Sequence, residues 1–293
     1  MKRKLISTLL VFTLAAGLLT GCGSTQKTED SGEEGAKTIK VGIIPSIPGN
    51  SYIDDDGNLV GMDIDIINAI DEKLPQYNIE FVQLDGTALF SSLDAGKIDF
   101  ACGNFRRSDA REASYIHTYR SYFYTPYQLV TLEENGKYDS LADYEGKSIG
   151  TGDGSLMADI VEQYIEENNA DITLTYVTDY VGELSAGRVD GIAVPRVATD
   201  RYLESYPDLK FYVSSEFLNG SDECMGDANA YYFLRQGDEK LRNELSEAIY
   251  ELRQEGKLLE YSEKWYGKDY VSDIDVDAEL QLIEDYGITD AAK

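Results

Sequence analysis

Apolar residues fall along this chain in blocks that alternate between two periods. Thr38–Ile44 (TIKVGII) is a short, nearly continuous apolar run that stops before Pro45, as expected of a strand covered on both faces. Over residues 62–74, Met62, Ile66, Ile67, Ala69, Ile70 and Leu74 fall on one face at helical spacing, and Pro75 ends the pattern. Ile79–Leu84 predicts a second strand, Ala88–Asp94 a second helix and Lys97–Cys102 a third strand. Between the first strand and the first helix, Tyr52-Ile53 and Leu59-Val60 flank Asp54–Asn58 (DDDGN) as the arms of a hairpin. This β-α-β-α-β order implies a parallel, doubly wound unit with right-handed crossovers.

The pattern then starts again. After an extended stretch, Tyr124–Thr131, come Leu141–Gly150, a glycine-rich turn at Thr151–Ser155 and a helix over Leu156–Asn168. A strand at Ile172–Val177, a short helix at Tyr180–Ala186 and a strand at Gly187–Val194 follow. Gly187–Asp190 (GRVD) echoes Gly96–Asp99 (GKID), so two lobes of similar build are expected rather than one long sheet. Ala230–Arg235 is another buried strand, placed back in the first lobe. Leu241, Leu245, Ala248, Ile249 and Leu252 make an amphipathic helix after it. The expected division is lobe 1 at residues 38–127 and 229–270, lobe 2 at 128–228, and a C-terminal extension at 271–293, packed on the surface or loosely ordered.

The N-terminus has its own pattern. Lys2-Arg3-Lys4 precedes an apolar run from Leu5 to Leu19, and Leu19-Thr20-Gly21-Cys22 follows, which reads residues 1–21 as an export signal. The run is short for a membrane span, which needs ~20 residues. Gly23–Lys37 has no hydrophobic period and is rich in Gly, Ser and Glu, so residues 22–37 read as a disordered tether. The 293 residues carry a formal charge of −28, and removing the signal with its three cations makes this −31. Such a chain repels nucleic acid and anionic head groups. An anionic ligand would need local cations. Three cysteines (Cys22, Cys102, Cys224) and one histidine (His117) offer no zinc spacing and no catalytic triad, and no cofactor is expected. DDDGN resembles the start of a calcium loop, but its twelfth position is Asp65 rather than Glu, and it reads as a turn.

The stretch with chemistry is Gly96–Tyr127. Its strand runs into a polar loop, Gly103-Asn104-Phe105-Arg106-Arg107, and Ser108 with Asp109 reads as a helix N-cap. Arg111 then sits in the first turn, where the helix dipole disfavours a cation. It needs a negative partner: a ligand carboxylate, a surface pair with Glu112 or Asp109, or a contact to the loop itself. The carboxyl end of such a strand is where open α/β sheets bind ligands.

Several of these segments carry a resemblance. Val41-Gly42-Ile43-Ile44-Pro45, Asp56–Asp65 (DGNLVGMDID), Leu93–Asp99 (LDAGKID), Ser108–Arg111, Leu141–Gly150 and the ending Gly256…Lys264-Trp265-Tyr266-Gly267 together resemble the extracellular solute-binding proteins of polar amino-acid ABC importers, family 3. The resemblance spans most of residues 38–268. It implies an α/β, type II periplasmic-binding-protein-like fold: two lobes, each a doubly wound sheet, joined by two hinge strands. It implies binding without catalysis, by a monomer that closes on an amino acid or related small carboxylate-bearing solute and presents it to the transmembrane subunits of an ABC permease. Leu-Thr-Gly-Cys resembles a bacterial lipobox, which implies lipidation of Cys22 and anchoring on the extracytoplasmic face of the cell membrane. An ordinary secretory signal is the other reading.

Carried over by position, Arg111 takes the ligand's α-carboxylate, and Ser155, with its N–H after Gly154, is the partner from lobe 2. A glycine turn before a helix offers N–H groups to an anion, although a plain tight turn has the same sequence. Asn50, Asn104, Arg106 and Arg196 complete the candidate ligand-binding set. Three departures stand out. The acid that usually takes the ligand's ammonium is Pro195, followed by Arg196; the usual Thr or Ser five before the Arg is Arg106; the usual aromatic near residue 50 is Asn50. Either Asp153, Asp85 or Asp200 replaces the missing acid, or the ligand carries extra negative charge or lacks a free amine. Of the 22 tyrosines, Tyr115, Tyr119, Tyr122, Tyr124 and Tyr127 crowd the first crossover, as packing groups or as ligand contacts. Cys102 and Cys224 are either paired or two separate thiols, and His117 is structural or exposed. A dehydratase-like enzyme on this scaffold and a ligand-sensing module are the alternative functions.

Overall fold

The computed structural model describes residues 35–215 and 228–291. The expected signal, Cys22, almost all of the tether and Cys224 lie outside them. β1 (Lys37–Ile43) leads to a small antiparallel ribbon, β2 (Ser46–Ile47), β3 (Ser51–Ile53) and β4 (Leu59–Val60). Then come α1 (Met62–Lys73), β5 (Tyr77–Gln83), α2 (Gly86–Asp94), β6 (Phe100–Phe105), α3 (Asp109–Ser114), β7 (Tyr115–His117) and β8 (Phe123–Tyr124). A second run holds β9 (Tyr127–Leu132), β10 (Lys147–Thr151), α4 (Leu156–Asn168), β11 (Ile172–Tyr176), α5 (Tyr180–Ser185), β12 (Gly191–Pro195), α6 (Arg196–Ser205) and β13 (Phe211–Val213). The chain returns through β14 (Asn229–Arg235) and ends with α7 (Glu239–Gln254), α8 (Lys257–Tyr266) and α9 (Val276–Asp285).

Two sheets result, ordered β5-β1-β6-β14-β7 and β11-β10-β12-β9-β13. β1 runs parallel to β5 and β6, and β10 parallel to β11 and β12, as the βαβ order requires. β14 and β9, by contrast, lie antiparallel to their neighbours. Each lobe is therefore a mixed sheet, where the sequence pattern alone suggested a parallel one. The chain leaves the first sheet between Tyr124 and Tyr127 and comes back to it between Val213 and Asn229. Helices cover both faces. Ile66, Ile67 and Ile70 of α1 pack with Leu245, Ile249 and Leu258 of α7 and α8 on one face of the first sheet, and Leu89, Leu93, Leu282 and Ile283 cover the other.

The strands after the repeated motif start later than the sequence pattern suggests, at Phe100 and Gly191, and the reason is the same in both lobes. Asp99 accepts from the Lys40 N–H at 2.7 Å and returns a backbone bond to Lys40. Asp190 accepts from the Ser148 N–H at 2.8 Å and bonds back to Ser148. The motif acid pins the incoming chain to the neighbouring strand, and laddering begins only beyond it. The DDDGN segment is a hairpin turn whose Asp54 carboxylate accepts from the Asp56 and Asn58 N–H groups. Cys102 is a buried free thiol, and His117 is buried between Glu112, Tyr286 and the Thr118 carbonyl.

The C-terminal extension is a docked helix. Glu279 of α9 is fully buried; it bonds Arg253 through both oxygens at 2.8 and 2.6 Å, Arg120 at 3.2 Å and the Ser121 N–H at 2.7 Å. Removing one member of such a buried group leaves charge without compensation. Glu279→Ala is expected to lower unfolding free energy by ~3–5 kcal/mol, read as an earlier urea midpoint. A loss within a few tenths of a kcal/mol would show that α9 is not held by this carboxylate.

Candidate functional site

A cavity of about 440 Å³ opens where the carboxyl ends of β6, β10 and β12 converge from the two sheets. That size lies within the ~300–1,000 Å³ usual for small-molecule sites. The first lobe contributes Ile47, Asn50, Gly103, Asn104, Phe105, Arg106 and Arg111. From the second come Thr151, Gly154, Ser155, Leu156, Met157, Tyr180, Arg201 and Tyr202, with Pro195 at the end of β12. Thr125 and Tyr127, at the first crossing, form part of its wall.

Arg111 is placed by local chemistry. Ser108 caps α3 by accepting from the Arg111 N–H, and Arg111 Nη1 donates to the Arg106 carbonyl at 2.7 Å. Its guanidinium lies 5.3 Å from the Phe105 ring, 5.4 Å from Phe90 and 5.9 Å from Phe233. Burial among these rings pushes its pKa below the ordinary arginine value, an effect that Tyr127 and Asp159 partly offset. Asp159, in the first turn of α4, is pushed up by burial and drawn down by Arg111. The guanidinium is thus partly desolvated while still facing the cavity, a state that an incoming anion would relieve.

Across the cavity, Ser155 caps α4 and accepts from the Ala158 N–H at 3.1 Å. Gly154 adopts φ 63°, which lets the chain turn sharply before the helix. Leu156 and Met157 line the cavity, and their N–H groups, in the first helical turn, have no intrahelical acceptor. An anion here would meet both those donors and the positive end of a helix of 13 residues. Asn104 sits in the left-handed region at φ 59°, held by its N–H donating to Tyr122 Oη at 2.8 Å, and its buried Oδ1 has no hydrogen-bond partner.

Six of the seven residues picked from the sequence meet in this cavity: Asn50, Asn104, Arg106, Arg111, Gly154 and Ser155. Arg106 is buried and lies 4.2 Å over the Tyr127 ring. Arg196 is not among the lining residues; it pairs with Asp273 at 3.2 Å and approaches Asp200 at 3.8 Å. Asp85, Asp153 and Asp200, the possible replacements for the missing acid, do not line the cavity either. Sequence reasoning missed Tyr180, Arg201 and Tyr202. The signal was present for two of them: Val197, Ala198, Arg201 and Tyr202 share one face of α6, directly after the strand that reaches the cavity.

Two lobes with mixed sheets, a ligand-sized cavity between them and a guanidinium opposite a helix N-terminus are the build of a solute-binding protein. The family model for bacterial extracellular solute-binding proteins, family 3, matches residues 39–268, and the chain belongs to that family. The L-cystine-binding protein TcyJ of Bacillus subtilis is 30% identical over 274 residues, covering 92% of this chain and 97% of that one. Among solved structures, an ancestral arginine-binding protein bound to arginine superposes with a TM-score of 0.66 at 24% identity, covering 80% of this chain and 100% of that one. A structure described for glutathione import via GshT and the cystine ABC importer TcyBC of Streptococcus mutans gives 0.70 at 20% identity, over 81% of this chain and 98% of that one. At these identities the solved structures speak for the fold. The protein therefore acts outside the cytoplasm, and no helix among the described residues is long and apolar enough to cross a membrane.

Beneath the cavity lies a buried acid. Asp63, in the first turn of α1, is fully buried; it receives hydrogen bonds from Asn50 and Cys102, and its Oδ2 has no partner. Gly61 makes this contact possible: with φ 136°, a Cβ there would stand 2.1 Å from the Asn50 carbonyl. Desolvation raises the Asp63 pKa to about 6. The raised value sets the sign. Its neutral form favours folding fully below about pH 4, and this contribution is lost as pH rises through about 6. Relative to the wild type, Asp63→Asn should therefore gain about 3 kcal/mol between pH 4 and pH 7.5 in urea unfolding. A difference that stays flat with pH would mean that Asp63 titrates as in the unfolded chain.

Proposed function

We propose that this protein is a lipid-anchored receptor of an ABC importer, which captures an amino acid or a related small carboxylate-bearing solute by closure of its two lobes. Arg111 takes a carboxylate of the ligand, and the Gly154-Ser155 turn with the first N–H groups of α4 takes the same group from the other side. The observation that carries this reading is the position of these two anion-binding features, from different lobes, in one cavity. Only a ligand that touches both lobes favours the closed state, so closure itself selects. Asn104, with its Oδ1 unpartnered, is a further polar contact, and Asn50 and Arg106 complete the first-lobe wall. Arg196 joins α6 to the C-terminal segment rather than to the ligand.

Several further features belong to this reading. The name of the relative TcyJ, an L-cystine-binding protein, supports an amino acid or a derivative of one as the solute. The partner is the transmembrane part of an ABC permease, and the receptor works as a monomer. Residues 1–21 act as the signal, and Cys22 carries the lipid that anchors residues 22–37 as a tether on the extracytoplasmic face of the cell membrane. Residues 38–127 and 229–270 move as one lobe and 128–228 as the other, with 271–293 docked on the first.

The test is thermal-shift screening of the full chain against amino acids, N-acylated amino acids, dicarboxylates and short peptides. Binding stabilises by the logarithm of ligand excess over Kd, about 2.7 kcal/mol at a hundredfold excess. Arg111→Ala is expected to abolish the shift of the best ligand while leaving the unliganded Tm within a few degrees. An undiminished shift in that variant would remove Arg111 from the site and the reading with it.

A further inference from the structure

The described residues that line the cavity include three arginines (Arg106, Arg111 and Arg201) and no aspartate or glutamate. In a chain with a formal charge of −28, that concentration of guanidinium groups is local and opposite to the whole. Arg111 and Arg201 come from different lobes. Arg111 uses one N–H on a backbone carbonyl, and Arg201 makes no hydrogen bond or ion pair among the described residues. Both therefore keep donors for a ligand. Acceptors for an ammonium among the described residues are few and uncharged: Asn104 Oδ1 is unpartnered, but the Arg106 carbonyl already takes Arg111, the Ala193 carbonyl takes Thr151, and the side chain of Pro195 accepts nothing. Asp200 is engaged by Tyr270 and Lys268. Asp159, the acid drawn to Arg111 across the cavity, is not among the lining residues.

We infer that the ligand of this cavity is a small molecule with two anionic groups and no free amine, such as an N-acylated acidic amino acid or a dicarboxylate, and that Arg201 is the residue that selects the second anion. This rests on the receptor reading above. One carboxylate lies between Arg111 and the N-terminus of α4, and the other reaches Arg201 on α6. The aromatic rings of Phe105, Tyr127, Tyr180 and Tyr202 enclose the apolar part between them. A free ammonium in the same space would be stripped of water among guanidinium groups, with one neutral amide oxygen and, among the described lining residues, no carboxylate to meet it. A zwitterion would lose on that group what its carboxylate gains.

The experiment compares probes that differ in one group. The full chain, purified in detergent, is titrated calorimetrically with L-glutamate, N-acetyl-L-glutamate, glutarate, L-cystine and L-arginine, in the wild type, Arg111→Ala and Arg201→Gln. N-acetyl-L-glutamate or glutarate is expected to bind at least tenfold more tightly than L-glutamate. Arg201→Gln should weaken that binding by roughly 10–100-fold, the scale of one charge-assisted contact. Its unliganded Tm should stay unchanged, because Arg201 makes no hydrogen bond or ion pair among the described residues that the substitution would break. If L-glutamate, L-cystine or L-arginine binds more tightly than the acylated or amine-free probes and Arg111→Ala abolishes it, the ligand class is wrong and the receptor reading stands. If the dianions bind with full affinity to Arg201→Gln, the role given to Arg201 is wrong. If Arg111→Ala leaves every titration unchanged, both readings fail together.

Discussion

The guanidinium of Arg111 is a partly desolvated cation before any ligand arrives. Three phenyl rings flank it, a single backbone carbonyl takes one of its N–H groups, and Asp159, its carboxylate neighbour across the cavity, is exposed to solvent. Such an arrangement costs free energy on its own, and the rest of the first lobe works to maintain it. β6 carries Phe105 to the cavity, β14 supplies Phe233 from the adjacent strand, and α2 supplies Phe90 from the covering layer. Tyr122 fixes the Asn104 backbone, and Ser108 orients α3. An anion that enters replaces missing solvation, so its gain is larger than that of a carboxylate meeting an exposed arginine.

The charge of the body gives this local field its meaning. A chain with a formal charge of −28 holds anions off its surface in general, and carboxylates beyond a Debye length of ~8 Å are largely screened at physiological salt. What a bound anion feels is then the guanidinium groups and helix N–H groups within contact distance. On the proposed reading, selectivity rests on a separate part of the charge distribution: the many surface acids repel unrelated polyanions, and the few cations of the cavity hold the anion that fits.

Much of this was legible in the sequence, and what was not has identifiable causes. The alternation of apolar runs and helical faces gave both lobes, because burial against helices imposes those periods whatever the topology. Strand direction escaped it: β9 and β14 read like any buried strand, and only the chain's route through the two crossings makes them antiparallel. The motif acids Asp99 and Asp190 were noticed as an echo, but their task, bonding a neighbouring strand 59 and 42 residues away, is not visible along the chain. The same holds for Glu279, whose burial depends on Arg120, from the segment between β7 and β8, and Arg253 of α7. At the site, the local motif placed Arg111 and the glycine turn. It put Arg196 in the site and passed over Arg201, because only the rotation of α6 directs Arg201 to the cavity and Arg196 to Asp273.

That rotation of α6 also bears on how the lobes come together. One face of the helix carries Arg201 and Tyr202 into the cavity, while Arg196, Asp200 and Glu204 meet Asp273, Lys268 and Tyr270 of the returning chain. Asp273 and Glu204 are 62% and 63% exposed, so each of those ion pairs is worth at most ~1 kcal/mol. Surface pairs of that strength can align the lobes but cannot hold them shut against thermal opening. The cavity must supply the remainder, and it has little to offer when empty: Arg106, Arg111 and Arg201 repel one another across it. An anionic guest reverses that sign. Closure then depends on what occupies the space between the arginines, which is the condition for a receptor that shuts on its solute and reopens once the solute has left.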